Sequence, residues 1–183
     1  MRIALTGASS TGKTTLANEL LAAYPKLNLT NVNARELLVE QGCRNVGDMD
    51  ASQYKHFQNA YIDRKRLLER AKTHYLTERS FVDAFVYWNH HCAGCSTPAE
   101  NKRVITLCKR WASRYDLHIY LPFGQIPFVE DGYRHSSLEY HNRIDFAIRS
   151  TIQKWNLKSI ECCSPHLADR VAACQRALNT CTN

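Results

Sequence analysis

Gly7-Ala8-Ser9-Ser10-Thr11-Gly12-Lys13-Thr14 sets two glycines, a lysine and a hydroxyl residue at the spacing G-x-x-x-x-G-K-[ST]. Backbone N–H groups converge on phosphate oxygens only where no side chain obstructs the approach, which is what the glycines supply. At this spacing Lys13 reaches the β- and γ-phosphates of a nucleoside triphosphate and the Thr14 hydroxyl ligates Mg²⁺. Ala8, Ser9, Ser10, Thr11 and Thr15 complete an ATP cradle. An apolar run precedes the motif and good helix formers, Leu16, Ala17, Glu19 and Leu20, follow it, which is the strand-to-helix context the motif requires.

A second set of reactive types is Thr77-Glu78-Arg79-Ser80, followed by Phe81-Val82-Asp83. In an open α/β sheet, ligands lie at the carboxyl ends of the strands, so Glu78 and Arg79 are expected beside the phosphate loop. An ordinary strand-end ion pair would read the same way. The third set lies in Pro122–Ser136, an irregular stretch that carries Asp131-Gly132-Tyr133-Arg134 and suits a lid over about 122–143.

The elements that must position these groups are apolar runs alternating with helical periods, the pattern of a parallel sheet covered by helices. Strands are predicted at Ile3–Thr6, Leu27–Asn31, His74–Glu78, Leu117–Leu121 and Leu157–Glu161. Helices are predicted at Lys13–Ala23, Ala34–Gln41, Ser52–Lys72, Phe81–His90, Ala99–Ser113, Ser137–Trp155 and Leu167–Leu178. The expected fold is α/β in three layers, a five-stranded parallel sheet with helices on both faces, in one domain spanning 1–183. In the long helix, Tyr54, Phe57, Tyr61 and Leu68 form the apolar stripe, and Lys55, Arg64, Lys65, Arg66, Arg70 and Lys72 are read as a basic face.

Taken together, the loop at 7–14, Glu78-Arg79-Ser80, and a strand ending in Leu121-Pro122 before Asp131-Gly132-x-Arg134 resemble the P-loop nucleoside and nucleotide kinases. That group includes thymidylate kinase, the deoxynucleoside kinases and the nicotinamide riboside kinase domains. The resemblance implies ATP and Mg²⁺ as cofactors, with Thr14 on the metal and Glu78 either holding it through water or orienting the acceptor. It also implies that Arg79 stabilises the transferring phosphoryl group and that Arg134, helped by Arg143, closes on the donor phosphates. Arg170, in Pro165-x-x-x-Asp169-Arg170, would pack near the adenine. Where relatives place a carboxylate at the end of the second strand, this chain has Asn31-Val32-Asn33-Ala34-Arg35-Glu36. Asn33, Arg35 and Glu36 are then the acceptor-side residues, and Asp83, Glu78 and Glu36, in that order, are candidates for a general base. The broad family also includes phage DNA kinases that phosphorylate 5-hydroxymethyluracil in the polymer.

The 183 residues carry 24 Lys plus Arg against 17 Asp plus Glu, a net charge of +7. All of the excess falls between residues 51 and 115, where twelve basic residues face five acidic ones. A basic segment is either a solvated face or, on the acceptor side, a surface for a nucleotide or a DNA strand. The interleaved Tyr54, Tyr61, Tyr75, Tyr87, Trp88 and Trp111 suit base stacking or a core. No apolar run approaches the ~18 residues of a membrane span, so a cytoplasmic location and reduced thiols are expected for the eight cysteines. His90-His91-Cys92-Ala93-Gly94-Cys95 has a C-x-x-C, but no second ligand pair follows at zinc-finger spacing.

Guanine switch proteins carry Asn-Lys-x-Asp, and the nearest string here, Asn101-Lys102-Arg103-Val104, lacks the aspartate. A large ring ATPase would need a longer chain. The reading that follows is a kinase with a nucleoside or nucleotide acceptor and no membrane partner. A slow ATP-hydrolysing regulator and a nucleic-acid module with a vestigial ATP site are the alternatives. Lys13→Ala is expected to abolish phosphoryl transfer while leaving the circular dichroism spectrum unchanged; full activity in that variant would end the phosphate-loop assignment.

Overall fold

Ile3, Ala4 and Leu5 are wholly buried, as a strand must be when helices cover both of its faces. In the computed structural model, which describes residues 1–43, 45, 49–128 and 137–182 (side chains to 180), this run is β1 (Arg2–Thr6), the centre of a five-stranded sheet. The strand order is β2-β3-β1-β4-β5, with β2 at Asn28–Leu29, β3 at Tyr75–Glu78, β4 at Leu117–Tyr120 and β5 at Ser159–Glu161. Every pairing is parallel. Register sets Leu5 opposite Glu78 and Thr6 opposite Tyr120, so the loop leaving β1 emerges between the ends of β3 and β4.

Alternation along the strands divides the core. Ile3, Leu5, Leu76, Leu117 and Ile119 face α1 (Lys13–Ala23) and α7 (Leu167–Thr182), packing on Leu16, Leu20, Cys174 and Leu178. Ala4, Tyr75 and Tyr120 face the other layer, built from α2 (Ala34–Glu40), α3 (Ala51–Glu69), α4 (Phe81–His91), α5 (Pro98–Ala112) and α6 (Leu138–Lys154). The starts of α3, α4 and α5 are closed by reciprocal capping boxes, Asp50 with Gln53, Ser80 with Asp83 and Thr97 with Glu100. Among the described residues no helix is long and apolar enough to cross a membrane.

Two local expectations need correction. The second strand pairs over only two residues rather than five, and Glu78 N–H is taken by the Asn31 side chain at 2.6 Å. On α3, Leu68 is 38% exposed and Lys65 only 1%. Helical spacing carries the inward stripe from Tyr61 through Lys65 to Glu69, so Lys65 belongs to the core and not to a basic face. Its burial is offset locally: Nζ lies 2.6 Å from Glu69 Oε1 and donates to Thr77 Oγ1 at 2.7 Å. Glu69 in turn accepts from the hydroxyls of Tyr75 and Tyr115. Such a pair adds little net stability but cannot lose one member cheaply.

On β4, His118 is buried, its Nε2 donating to Ala112 O at 3.0 Å while Nδ1 has no partner. Burial drives its pKa down from 6.5 to about 4. A group whose folded pKa is depressed in this way is protonated in the unfolded chain first. Stability is therefore expected to fall as pH drops from about 6.5 to about 4, by up to ~3 kcal/mol, and to stop responding to this residue below that. Urea unfolding of the protein and of His118→Gln across this window checks it, since the difference between the two curves should carry that slope.

Candidate functional site

The loop from Gly7 to Gly12 is shaped by three residues with positive φ: Gly7 at 148°, Ser10 at 57° and Gly12 at 81°. A Cβ on Gly7 would sit 2.5 Å from Leu121 O, so only glycine allows the loop to pass beneath the end of β4. Gly12 is the left-handed N-cap of α1, whose free N–H groups and dipole face the loop's mouth. Lys13 is buried, its Nζ donating to Ala8 O at 2.5 Å and Thr11 Oγ1 at 3.0 Å.

A cleft of about 330 Å³ opens over this loop, lined by residues 9–15, by Glu78 and Arg79, and by Ile126 and Pro127. Thr14 Oγ1 donates to Glu78 Oε2 at 2.6 Å. The hydroxyl and the carboxylate expected to share a metal, 64 residues apart in sequence, therefore meet. Arg79 reaches the loop from β3, Nη2 donating to Ser9 Oγ at 3.1 Å, and its guanidinium stacks over the Tyr87 ring at 5.1 Å. Burial works against its charge, but Tyr87, Asp83 and Tyr61 outweigh that and raise its pKa above the usual arginine range. Its φ of +64° is strained for a side-chain-bearing residue and marks the turn where β3 passes into α4.

Several expected residues stand elsewhere. Asp83, first among the base candidates, is wholly buried beneath the loop. It accepts from Thr6 Oγ1, Gly7 N (3.1 Å), Ser80 N (2.7 Å) and Ser80 Oγ (2.9 Å), the geometry of a brace and not of a base facing substrate. Arg170 also braces: it is buried, Nη1 donates to Thr11 O at 2.9 Å and Nε to Ser164 O at 2.5 Å, and burial lowers its pKa. Asn33 caps α2 through the N–H groups of Arg35 and Glu36, and all three are exposed at the start of that helix and absent from the cleft's lining. Arg143 is exposed on α6, 3.9 Å from Glu139, and Arg134 lies outside the described residues.

Sequence reasoning overlooked Asn31, whose Nδ2 donates to Glu78 Oε1 at 3.2 Å, because an amide at a strand end carries no catalytic signature. Nor does the sequence single out Ile126 and Pro127 as cleft walls within the irregular Pro122–Ser136 stretch. In the His90–Cys95 segment, His91 stacks on Tyr54 at 4.2 Å with Nε2 2.8 Å from the Tyr140 hydroxyl. Cys92 is buried, which pushes its thiol up to about 12. Among the described residues no group of three or more His, Cys, Asp or Glu converges on a metal position.

Residues 2–170 match the family described as AAA domain. The chain belongs to the AAA domain family. Among solved structures, this family member is similar to NadR protein in complex with NR, with a TM-score of 0.68 and 16% identity over 97% of this chain. It spans only about half of that protein, 48% of its length. Deoxyadenosine kinase from M. mycoides with bound dATP gives a TM-score of 0.65 at 12% identity, over 98% of this chain and all of that one. Thymidylate kinase from Ehrlichia chaffeensis gives 0.64 at 14% identity, over 97% and 98%. No curated protein matches the sequence. The likeness establishes the P-loop kinase fold for this AAA domain.

If Asp83 braces the loop, Asp83→Asn leaves an amide N–H where N–H donors already point. It is expected to cost about 1–3 kcal/mol of stability and to weaken ATP binding. A catalytic base would instead lose turnover with melting temperature and ATP affinity intact, so calorimetry and a nucleotide titration separate the two roles.

Proposed function

We propose that this chain is an ATP- and Mg²⁺-dependent kinase that transfers the γ-phosphoryl group to a nucleoside- or nucleotide-type acceptor. The observation that carries the reading is the meeting of Thr14, Glu78 and Arg79 over one phosphate loop. Similar folds that bind NR, dATP or act as thymidylate kinase lend it support.

The donor set fits magnesium: a hydroxyl and a carboxylate oxygen, both hard ligands, open at the cleft where Thr14 is exposed. Bound there by Thr14 and Glu78, the ion would neutralise charge on the phosphate chain. The loop's N–H groups and Lys13 bind the donor phosphates, with Lys13 exchanging its contacts to Ala8 O and Thr11 for phosphate oxygens. Arg79, fixed by Ser9 and Tyr87, offers its guanidinium to charge developing on the transferred group. Because such transition states are largely dissociative, positioning contributes more than a strong base, and the engagement of Asp83 elsewhere is no obstacle.

The DNA-acceptor variant, with 5-hydroxymethyluracil as the target base, rests on the charge between residues 51 and 115. That charge is thinner at the surface than the sequence count implies. Lys65 is internal, and Lys55, Arg64 and Arg66 pair with Glu100, Glu40 and Asp63. The deciding experiment is transfer of radiolabelled γ-phosphate across nucleosides, nucleoside monophosphates, nicotinamide riboside, and DNA with and without hydroxymethylated bases. Acceptor-independent hydrolysis alone would favour the regulator. Arg79→Ala is expected to cut turnover about 10³-fold with the KM for ATP little changed, and an unchanged rate would reduce Arg79 to architecture.

A further inference from the structure

We infer that Asn31 is a positioning residue that fixes the Glu78 carboxylate for metal binding, tied through Thr77 to the buried Lys65–Glu69 pair. The inference rests on the kinase reading of the site and adds to it a group outside the phosphate loop.

Asn31 lies where the β2–β3 ladder stops. Asn28 pairs with Tyr75 and Leu29 with Leu76, and Thr30 N still donates to Leu76 O at 2.8 Å. The same register sets Asn31 opposite Glu78, and there a side chain replaces the backbone partner. Asn31 Oδ1 accepts from Glu78 N at 2.6 Å while Nδ2 donates to Glu78 Oε1 at 3.2 Å. Only this orientation of the amide satisfies both contacts, since the backbone N–H demands an acceptor and the carboxylate a donor. One planar group thus holds Glu78 at two points, its main chain and its carboxylate, leaving Oε2 turned to Thr14.

The clamp has its own support. Lys65 Nζ donates to Thr77 Oγ1 at 2.7 Å, and Thr77 Oγ1 donates to Asn31 Oδ1 at 3.4 Å. Donors run from a buried ammonium to the Thr77 hydroxyl, whose one proton is shared between Asn31 Oδ1 and Glu78 O at 3.5 Å, and from the Asn31 amide to the carboxylate. At its buried Lys65–Thr77 end such a chain polarises toward the negative charge it ends on. Lys65 is held in turn by Glu69, which two tyrosine hydroxyls anchor. An amide suits the position for a further reason: a carboxylate at residue 31 would repel Glu78, whereas Asn31 donates to it without adding charge. Groups that hold a metal ligand in this way commonly change metal affinity 10–100-fold when removed.

The test measures binding and not turnover. A fluorescent, non-hydrolysable ATP analogue is titrated into the whole protein with EDTA present, and in a separate sample free of EDTA Mn²⁺ is titrated into the analogue complex and followed by electron paramagnetic resonance. Asn31→Ala is expected to weaken Mn²⁺ about 10–100-fold while the analogue's Kd in EDTA stays within about twofold. Asn31→Leu, which keeps the side chain's size, carries the same expectation should the alanine variant fold poorly. Unchanged Mn²⁺ affinity in a folded variant overturns the inference. So does an equal loss of analogue affinity in EDTA, which would make Asn31 a support of the loop as a whole. Failure of the unsubstituted protein to bind the analogue would overturn the kinase reading itself, and analogue binding without Mn²⁺ binding would overturn only its metal component.

Discussion

One buried carboxylate joins the two halves of the site. Asp83 accepts from Thr6 and Gly7 at the end of β1 and from Ser80 at the start of α4. The phosphate loop and the Glu78-Arg79 turn therefore have a common anchor, and neither can move without breaking hydrogen bonds to a charge that has no water to turn to. The carbonyls of Leu5 and Thr6 complete the junction, accepting from Arg79 N and Leu121 N. The positions of the Gly7–Gly12 loop, of Arg79 and of Glu78 all follow from this junction at the carboxyl ends of three adjacent strands.

Around it the chain uses charge inside the protein as well as at its surface. Lys65, which the sequence places on a basic helix face, and Arg170, expected near the adenine, are both buried and both brace the site from behind. Lys65 leads through Thr77 and Asn31 to Glu78, and Arg170 holds the Thr11 carbonyl from α7. A buried cation is stable only with close partners. Here Glu69 holds Lys65, and main-chain carbonyls hold Arg170.

The motifs that carry chemistry were legible because their spacing is local. The phosphate loop occupies eight consecutive residues and Glu78-Arg79-Ser80 three, and an apolar run before each sets its place at a strand end. The sheet and its helices were legible from alternation and helical period, to within a few residues at most ends. The roles of Asp83 and Asn31 were not. Asp83 is three residues past Ser80, so the sequence reads it as the first candidate for a general base, while the structure makes it a cap that also reaches across to β1. Asn31 gains its role only because β2 lies beside β3 in a register that sets it against Glu78.

By itself the sequence determined the α/β architecture and the local spacing of the Gly7–Thr14 and Glu78–Ser80 motifs, since backbone geometry and side-chain period are properties of short segments. Only the tertiary structure decided which of those residues face the cleft and which hold it in shape. The difference is physical. A carboxylate or ammonium is reactive or structural according to the donors and acceptors that surround it, and those come from strands and helices distant in the chain. For Asp83, Arg170 and Lys65 the surroundings are protein hydrogen bonds; for Thr14, Glu78 and Arg79 they include the open cleft.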